Sequence, residues 1–335
     1  MIHARSRCLA RVAGIAAAAL GITLCLPAAG AAQAVQGSFD RTLTVAGPAD
    51  LDVTTGSGDI VLRTGPAGSV HVVGRIRATN APLGIGRGAA ERVKALEANP
   101  PITQTGAAIR IGYISDRDLS QNVSISYEIT APAECKLRSR TGSGDQQIGD
   151  VSGPVDISSG SGDLVVGAVG GQVSASTGSG DITAGGVRGS FSARTGSGSV
   201  NASSVQGEIT VSTGSGDVTV TQTGSGAVKV SVASGDVRLR GVRGGLQVDS
   251  ASGDITVQGT PAAAWQVSSA SGGVTLELPA DAAFDLDARS SSGSIDSSHP
   301  VTMTGKIDRH SVTGQVRGGG PAVRVHTASG SIRIR

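Results

Sequence analysis

The chain reads as an all-β protein, a parallel β-helix or solenoid with coils of about 18 residues. Three observations predict this. First, a phrase of Gly-Ser-Gly-Asp followed by Ile, Leu or Val keeps returning: TGSGD at 141–145, GSGDL at 160–164, TGSGDI at 177–182 and TGSGDV at 213–218, softening to ASGDV at 233–237 and ASGDI at 251–255. Second, its interval is fixed. Asp145, Asp163 and Asp181 stand 18 positions apart, Ser199 takes the next place, and Asp217, Asp236 and Asp254 follow at steps of 18, 19 and 18. Third, apolar residues between the phrases alternate with polar ones, the period of a strand with one buried face. A sandwich also uses short strands and turns, but has no reason to repeat one turn at a constant interval.

Residues 1–34 carry the features of a secretory signal peptide. Arg5, Arg7 and Arg11 form a basic start, an apolar run from Gly14 to Leu26 is short for a bilayer, and Ala32-Gln33-Ala34 offers a cleavage site. A lipoprotein signal at Cys25 is set aside because Leu24 precedes it, where a small residue is needed. Removing those three arginines leaves 25 basic residues against 26 acidic ones. A near-neutral exported chain argues against nucleic acid as a partner. Cys8 and Cys25 leave with the signal, so Cys135 has no partner for an intrachain disulfide. It sits in the alternation Ala133, Cys135, Leu137, and reads as a small buried hydrophobe. No later apolar run reaches membrane-spanning length.

Residues 35–140 form the less regular part. TGSGDI at 55–60 is already the repeat phrase, so the solenoid is expected to begin there. Leu43, Val45, Leu51, Val53, Val70 and Val72 alternate as in strands. An interruption at 79–107 contains AAERVKALEA at 89–98, whose Ala89, Val93 and Leu96 have helical spacing and which Asn99-Pro100-Pro101 stops. Its expected role is to cover an open end or side, because bare strand edges invite aggregation. Strands resume at 109–113 and 123–129.

Residues 141–335 form the regular part, continuous with the first. The inward positions are Ile182, Ala184, Val187, Phe191, Ala193 and Thr195, then Val200, Ala202, Val205, Ile209, Val211 and Thr213, then Val237, Leu239, Val242, Leu246, Val248 and Ser250, then Ile255, Val257, Trp265 and Val267. Strands of three to five residues are too short to stand as hairpins, but stacked coils pair each backbone with the coils above and below. Val228, Trp265 and Phe284 each fall one place late, which widens a turn and keeps the face. The pattern loosens after Pro300 and recovers at Val323, Val325, Thr327 and Ile332. The last coil is expected either to be closed by residues 300–316 or to stack on a partner.

The export signal, the early strands, SISYEITAP at 124–132 and the run of Ser-Gly-Asp-[Ile/Leu/Val] coils resemble the putative-adhesin β-strand-repeat family, exported bacterial proteins with a domain of unknown function. The resemblance spans residues 39–335. It implies a right-handed parallel β-helix in the cell envelope, and supplies no catalytic residues.

The residues themselves offer few sites. Asp145, Asp163, Asp181, Asp217, Asp236 and Asp254 would stack as a row of carboxylates, an unfavourable arrangement for like charges unless something offsets it. Either each Asp accepts from amides of its own Gly-Ser-Gly turn, or the row holds calcium. The first reading is preferred, because one Asp per 18 residues is sparse for an ion that takes six to eight oxygens. Ser199, Ala227, Gly273 and Ser294 also replace Asp in equivalent phrases. The Gly-Ser-Gly runs lead into strands, not a helix N-terminus, and no Gly-Lys-Ser/Thr follows, so they are no phosphate cradle. His71, His299, His310 and His326 are scattered without metal-ligand spacing. A nucleophile elbow is absent.

A glycan-acting β-helix enzyme would need paired carboxylates and aromatic platforms. The mature aromatics are Phe39, Tyr113, Tyr127, Phe191, Trp265 and Phe284, and the last three are needed inside. The expectation is therefore a non-catalytic protein of the periplasm, cell surface or extracellular space, without cofactor or metal, serving as adhesin, scaffold or binding surface. An envelope glycan or protein is the expected partner, with Arg188, Arg238, Arg240 and Arg243 near one set of turns. The alternatives are the glycan-acting enzyme and an envelope sensory or regulatory protein.

Overall fold

The computed structural model describes residues 34–80, 88–303 and 308–335. The expected signal peptide, residues 1–34, lies outside the described residues but for its last residue, Ala34. Residues 34–335 form one compact unit. Its strands make two long open sheets, of 14 and 15 strands among the described residues.

In the regular part each coil contributes one strand to each sheet. The Val173–Ser179 strand pairs in parallel with Phe191–Ser197 above and Val155–Ser161 below, with Val173 opposite Phe191 and Val155. After the bend, Ile182–Ala184 lies between Leu164–Val166 and Val200–Val205. A third bend returns the chain through Val151, Val169, Val187 and Val205, which bridge one another in parallel. Most partners stand 18 positions apart, so equal residues stack: Phe191 on Ile209, Ile182 on Val200. Phe191, Trp265 and Phe284 are at most 1% exposed and fill the space between the sheets. The indole N–H of Trp265 donates to the Gly244 carbonyl, 3.0 Å away, so burial leaves it satisfied.

The order of coils in space departs from the order in sequence at both ends. The Ala49–Ser57 strand pairs directly with Cys135–Ser143, and Ile60–Gly65 with Gln146–Ile148. The intervening residues pack on the other side of this first coil. There Val35–Thr44, Ser69–Ala78 and Val123–Pro132 form an antiparallel meander whose last strand runs parallel to Ile60–Gly65. Gly74 belongs here because a Cβ would strike the Phe39 ring at 2.1 Å. The Ala89–Ala98 helix lies against the Val35–Thr44 edge, burying Ala89, Val93 and Leu96. Glu97 Oε1 accepts the otherwise unpaired Ser38 N–H at 2.9 Å, and Gln104 donates to the Thr44 carbonyl at 2.8 Å. The edge is thus partly capped. Arg92 is buried too, which the helical spacing did not predict. Its guanidinium donates to the Thr79 and Gln121 carbonyls and ties the helix to both flanking segments.

At the other end two expectations are corrected. Trp265–Ser271 does not pair with Phe284–Ser290, the next strand in sequence. It pairs with Ala322–Ser329, which in turn pairs with Phe284–Ser290. Likewise Ile332–Ile334 lies between Val274–Glu277 and Ile295–Ser297. The last coil is therefore enclosed, and no partner is needed to cover it. The Ser311–Val316 and Val301–Met303 strands close the next layer in antiparallel fashion.

Candidate functional site

The recurrent corner is the feature to test for chemistry. Its glycines are steric. Gly144 has φ of +150°, and a Cβ there would lie 2.3 Å from the Gly58 carbonyl oxygen of the coil below. The same collision would recur at Gly162, Gly180 and Gly198. The coils approach each other too closely here for any side chain.

The aspartates do not cap their own turns, so that expectation is corrected. Each reaches to the next coil. Asp59 Oδ1 accepts the Asp145 N–H at 3.1 Å, Asp145 accepts from Asp163 and Asp163 from Asp181, both at 2.9 Å, and Asp181 accepts from Ser199 at 2.7 Å. Ser199 continues the row with its hydroxyl, accepting the Asp217 N–H at 3.4 Å. Asp217, Asp236 and Asp254 then accept from Asp236, Asp254 and Gly273. The reason is geometric. The Gly and Ile/Leu N–H groups of each corner already donate forward to the next coil, as Gly162 does to Ser179 and Leu164 to Asp181. The Asp N–H points backward, where no main-chain carbonyl faces it, and the carboxylate below supplies the acceptor.

A second ladder runs beside it on the buried side. The hydroxyls of Thr141, Ser159, Thr177, Thr195 and Thr213 donate to the carbonyls of Gly58, Gly144, Gly162, Gly180 and Gly198, all at 3.1–3.2 Å. Val232 interrupts it. The row therefore has its offset for stacked charge. Neighbouring carboxylates about 4.8 Å apart repel by roughly 1 kcal/mol in water, whereas a hydrogen bond to a charged group contributes about 1.5–3 kcal/mol. Arg238 adds a local counter-charge, 2.8 Å from Asp236 and 4.0 Å from Asp217.

One replacement is reassigned. The phrase at 224–227 lies at the opposite bend, since the Ala227 carbonyl accepts from Ile209 ahead of the Val228–Ser234 strand. Ala227 is outside the Asp row. Among the described residues no three His, Cys, Asp or Glu side chains gather as ligands for a metal ion. The histidines lie apart. His71 Nε2 is 2.7 Å from Asp40 Oδ1 on the surface, His299 Nε2 meets the Pro279 carbonyl, His310 Nδ1 meets the Gly293 carbonyl, and His326 is exposed. The four arginines divide between two places. Arg238 and Arg240 face outward from one strand, while Arg188 and Arg243 lie in separate grooves at the third bend. Cys135 is buried, and desolvation pushes its thiol up to about 11. On the outside of the sheets Ser, Thr, Gln and Asn share the surface with charged residues, among them Lys136, Arg138, Arg140, Asp156, Arg194 and Lys229.

Residues 171–335 match the Toastrack DUF4097 family, a domain of unknown function. No curated protein matches the sequence. Among solved structures, a putative lipid binding protein from Parabacteroides distasonis ATCC 8503 is 13% identical, with 89% of this chain and 96% of that one covered and a TM-score of 0.39. A putative adhesin from Bacteroides fragilis NCTC 9343 is 12% identical over 89% and 97%, with a TM-score of 0.29. A putative cell adhesion protein from Clostridium sporogenes ATCC 15579 is 12% identical over 89% and 99%, with a TM-score of 0.19.

Proposed function

We propose that this chain, whose residues 171–335 match the Toastrack DUF4097 domain, is an exported, non-catalytic β-solenoid of the bacterial cell envelope, acting as an adhesin or as a scaffold and binding protein. Its coils are right-handed and about 18 residues long, and residues 1–34 are removed on export. One observation carries the reading. The repeated polar groups, which are the chain's densest candidate chemistry, are engaged in joining coil to coil: Asp163 Oδ1 holds the Asp181 N–H, and the Thr177 hydroxyl holds the Gly162 carbonyl. They serve length and rigidity, and what the rod presents is two sheet faces of polar and charged side chains. No described helix is long and apolar enough to cross a membrane.

The test has two arms. Cell fractionation and N-terminal sequencing should find a chain beginning near Val35 outside the cytoplasm. Purified protein should bind envelope polysaccharide or host-matrix preparations without shortening uronate polymers. A chain retained in the cytoplasm, or one that depolymerises the glycans, would overturn the proposal.

A further inference from the structure

The coil at 322–335 is inserted between two coils that are consecutive in sequence, and the registers around it are related. Val323 faces Trp265 on one side and Leu286 on the other. In the second sheet Ile332 faces Val274 and Ile295. Leu286 lies 21 positions after Trp265, and Ile295 lies 21 after Val274. With the inserted coil removed, the 284–297 coil would meet the 265–277 coil in register in both sheets at once. The facing residues suit each other: Leu286 on Trp265, Ala288 on Val267 and Ser290 on Ser269, all buried.

The corner agrees. Gly330 sits where a Cβ would lie 2.1 Å from the Gly272 carbonyl, and Gly293 where one would lie 1.9 Å from the Gly330 carbonyl. Gly293 thus carries the residue needed to stack directly on Gly272. The linker at 278–283 now crosses two layers, so it is long enough to cross one. The segment leading into the inserted coil is built to pivot. Arg317, Gly318 and Gly319 have φ of +49°, +86° and +84°, followed by Gly320 and Pro321. Arg317 is held by a bond from Nε to the Ala280 carbonyl on that linker.

We propose that the C-terminal coil is a removable wedge. It withdraws on the 317–321 hinge, and the 284–297 coil then docks directly on the 265–277 coil, which conserves a closed stack while releasing a free strand pair. The self-similarity of the repeat makes both stackings acceptable to the same side chains.

A cysteine pair at Gln266 and Asp287 distinguishes the two stackings. Both residues face outward across Arg324. With the wedge in place they are separated by two strand spacings, roughly 10 Å, beyond the ~7 Å limit for a disulfide. After withdrawal they are adjacent, about 4.8 Å apart. Buried Cys135 at the other end of the stack stays out of reach. In the chain from Ala34 to Arg335 carrying Q266C and D287C, oxidation should trap an internal disulfide. The product should keep the emission of the single, buried tryptophan, Trp265, and trypsin should now cut at Arg324. A pair still reduced after prolonged incubation just below the melting temperature overturns the proposal. So does a disulfide that forms only with loss of that emission, since it would then arise through unfolding. A chain ending at Pro321 should form the bond at once if it folds, and the full-length result decides if it does not.

Discussion

The main-chain N–H of Asp163 donates to Oδ1 of Asp145, 2.9 Å away and one coil below. The contact turns a carboxylate that repeats along the rod into the acceptor for the one corner amide that lacks a main-chain partner. It also explains why Ser199 is tolerated in the row. Its hydroxyl still accepts from Asp217, over a longer 3.4 Å.

Replacing Asp181 by alanine should remove the acceptor from the Ser199 N–H and lower stability by about 1 kcal/mol, what is left of a charge-assisted hydrogen bond after the repulsion of the stacked carboxylates is subtracted. Asn at the same place keeps an acceptor oxygen and sheds a charge from the row, so D181N should lose less than half of that. Urea melts of both variants check the ranking. Equal losses would show that charge, not the acceptor, matters at this corner.

Calcium should leave the protein indifferent. Each row carboxylate already holds an amide, and no ligand set of three forms among the described residues. Melting with millimolar calcium and with chelator should agree within about 2 °C, which in a unit of this size corresponds to roughly 1 kcal/mol. A shift several times larger would reassign the row as an ion site.

Ser139 points inward with its hydroxyl buried and unpartnered, and it pairs in register with Val53 and Ile157. Ser139→Val completes an aliphatic column and removes an unsatisfied group. It should raise stability by about 1 kcal/mol, read as a higher melting midpoint. An unchanged or lower midpoint would mean that the hydroxyl has a partner, such as a buried water.

Burial holds the Cys135 thiol protonated up to about 11, above the ordinary 9.0. The folded state therefore binds a proton that the unfolded chain releases first. This contribution is complete below about pH 9 and is lost as pH rises through about 11, and the buried phenol of Tyr127 shifts in the same direction. Maleimide should label Cys135 slowly at pH 8 in the folded protein and quickly in denaturant. Fast labelling of the native state would place the thiol at the surface.

Much of the fold was legible because its causes are local. Gly144 and Asp145 must turn, Gln146 to Ile148 must alternate, and the same demands 18 positions later stack equal residues. The helix at Ala89–Ala98 announced itself by spacing and by the prolines that stop it. Arg92 did not, because a polar residue gives no periodic sign of where its guanidinium ends. The candidate row was legible as a list of residues but not as a set of bonds. Whether Asp145 serves its own turn or the next coil depends on which amides the neighbouring coil leaves unpaired.

The sequence by itself determined the repeat, the two buried faces and the close-packed glycine corner, since these follow from backbone sterics and the two-residue period of a strand. Only the tertiary structure decided the order of stacking. The strands at Trp265, Phe284 and Ala322 present similar inward columns and interchangeable corners, so local pattern accepts several sequences of layers. The choice was made by long-range closure: Ser311–Val316 pairs antiparallel with Phe284–Ser290 and leaves its other edge for the last coil of the chain.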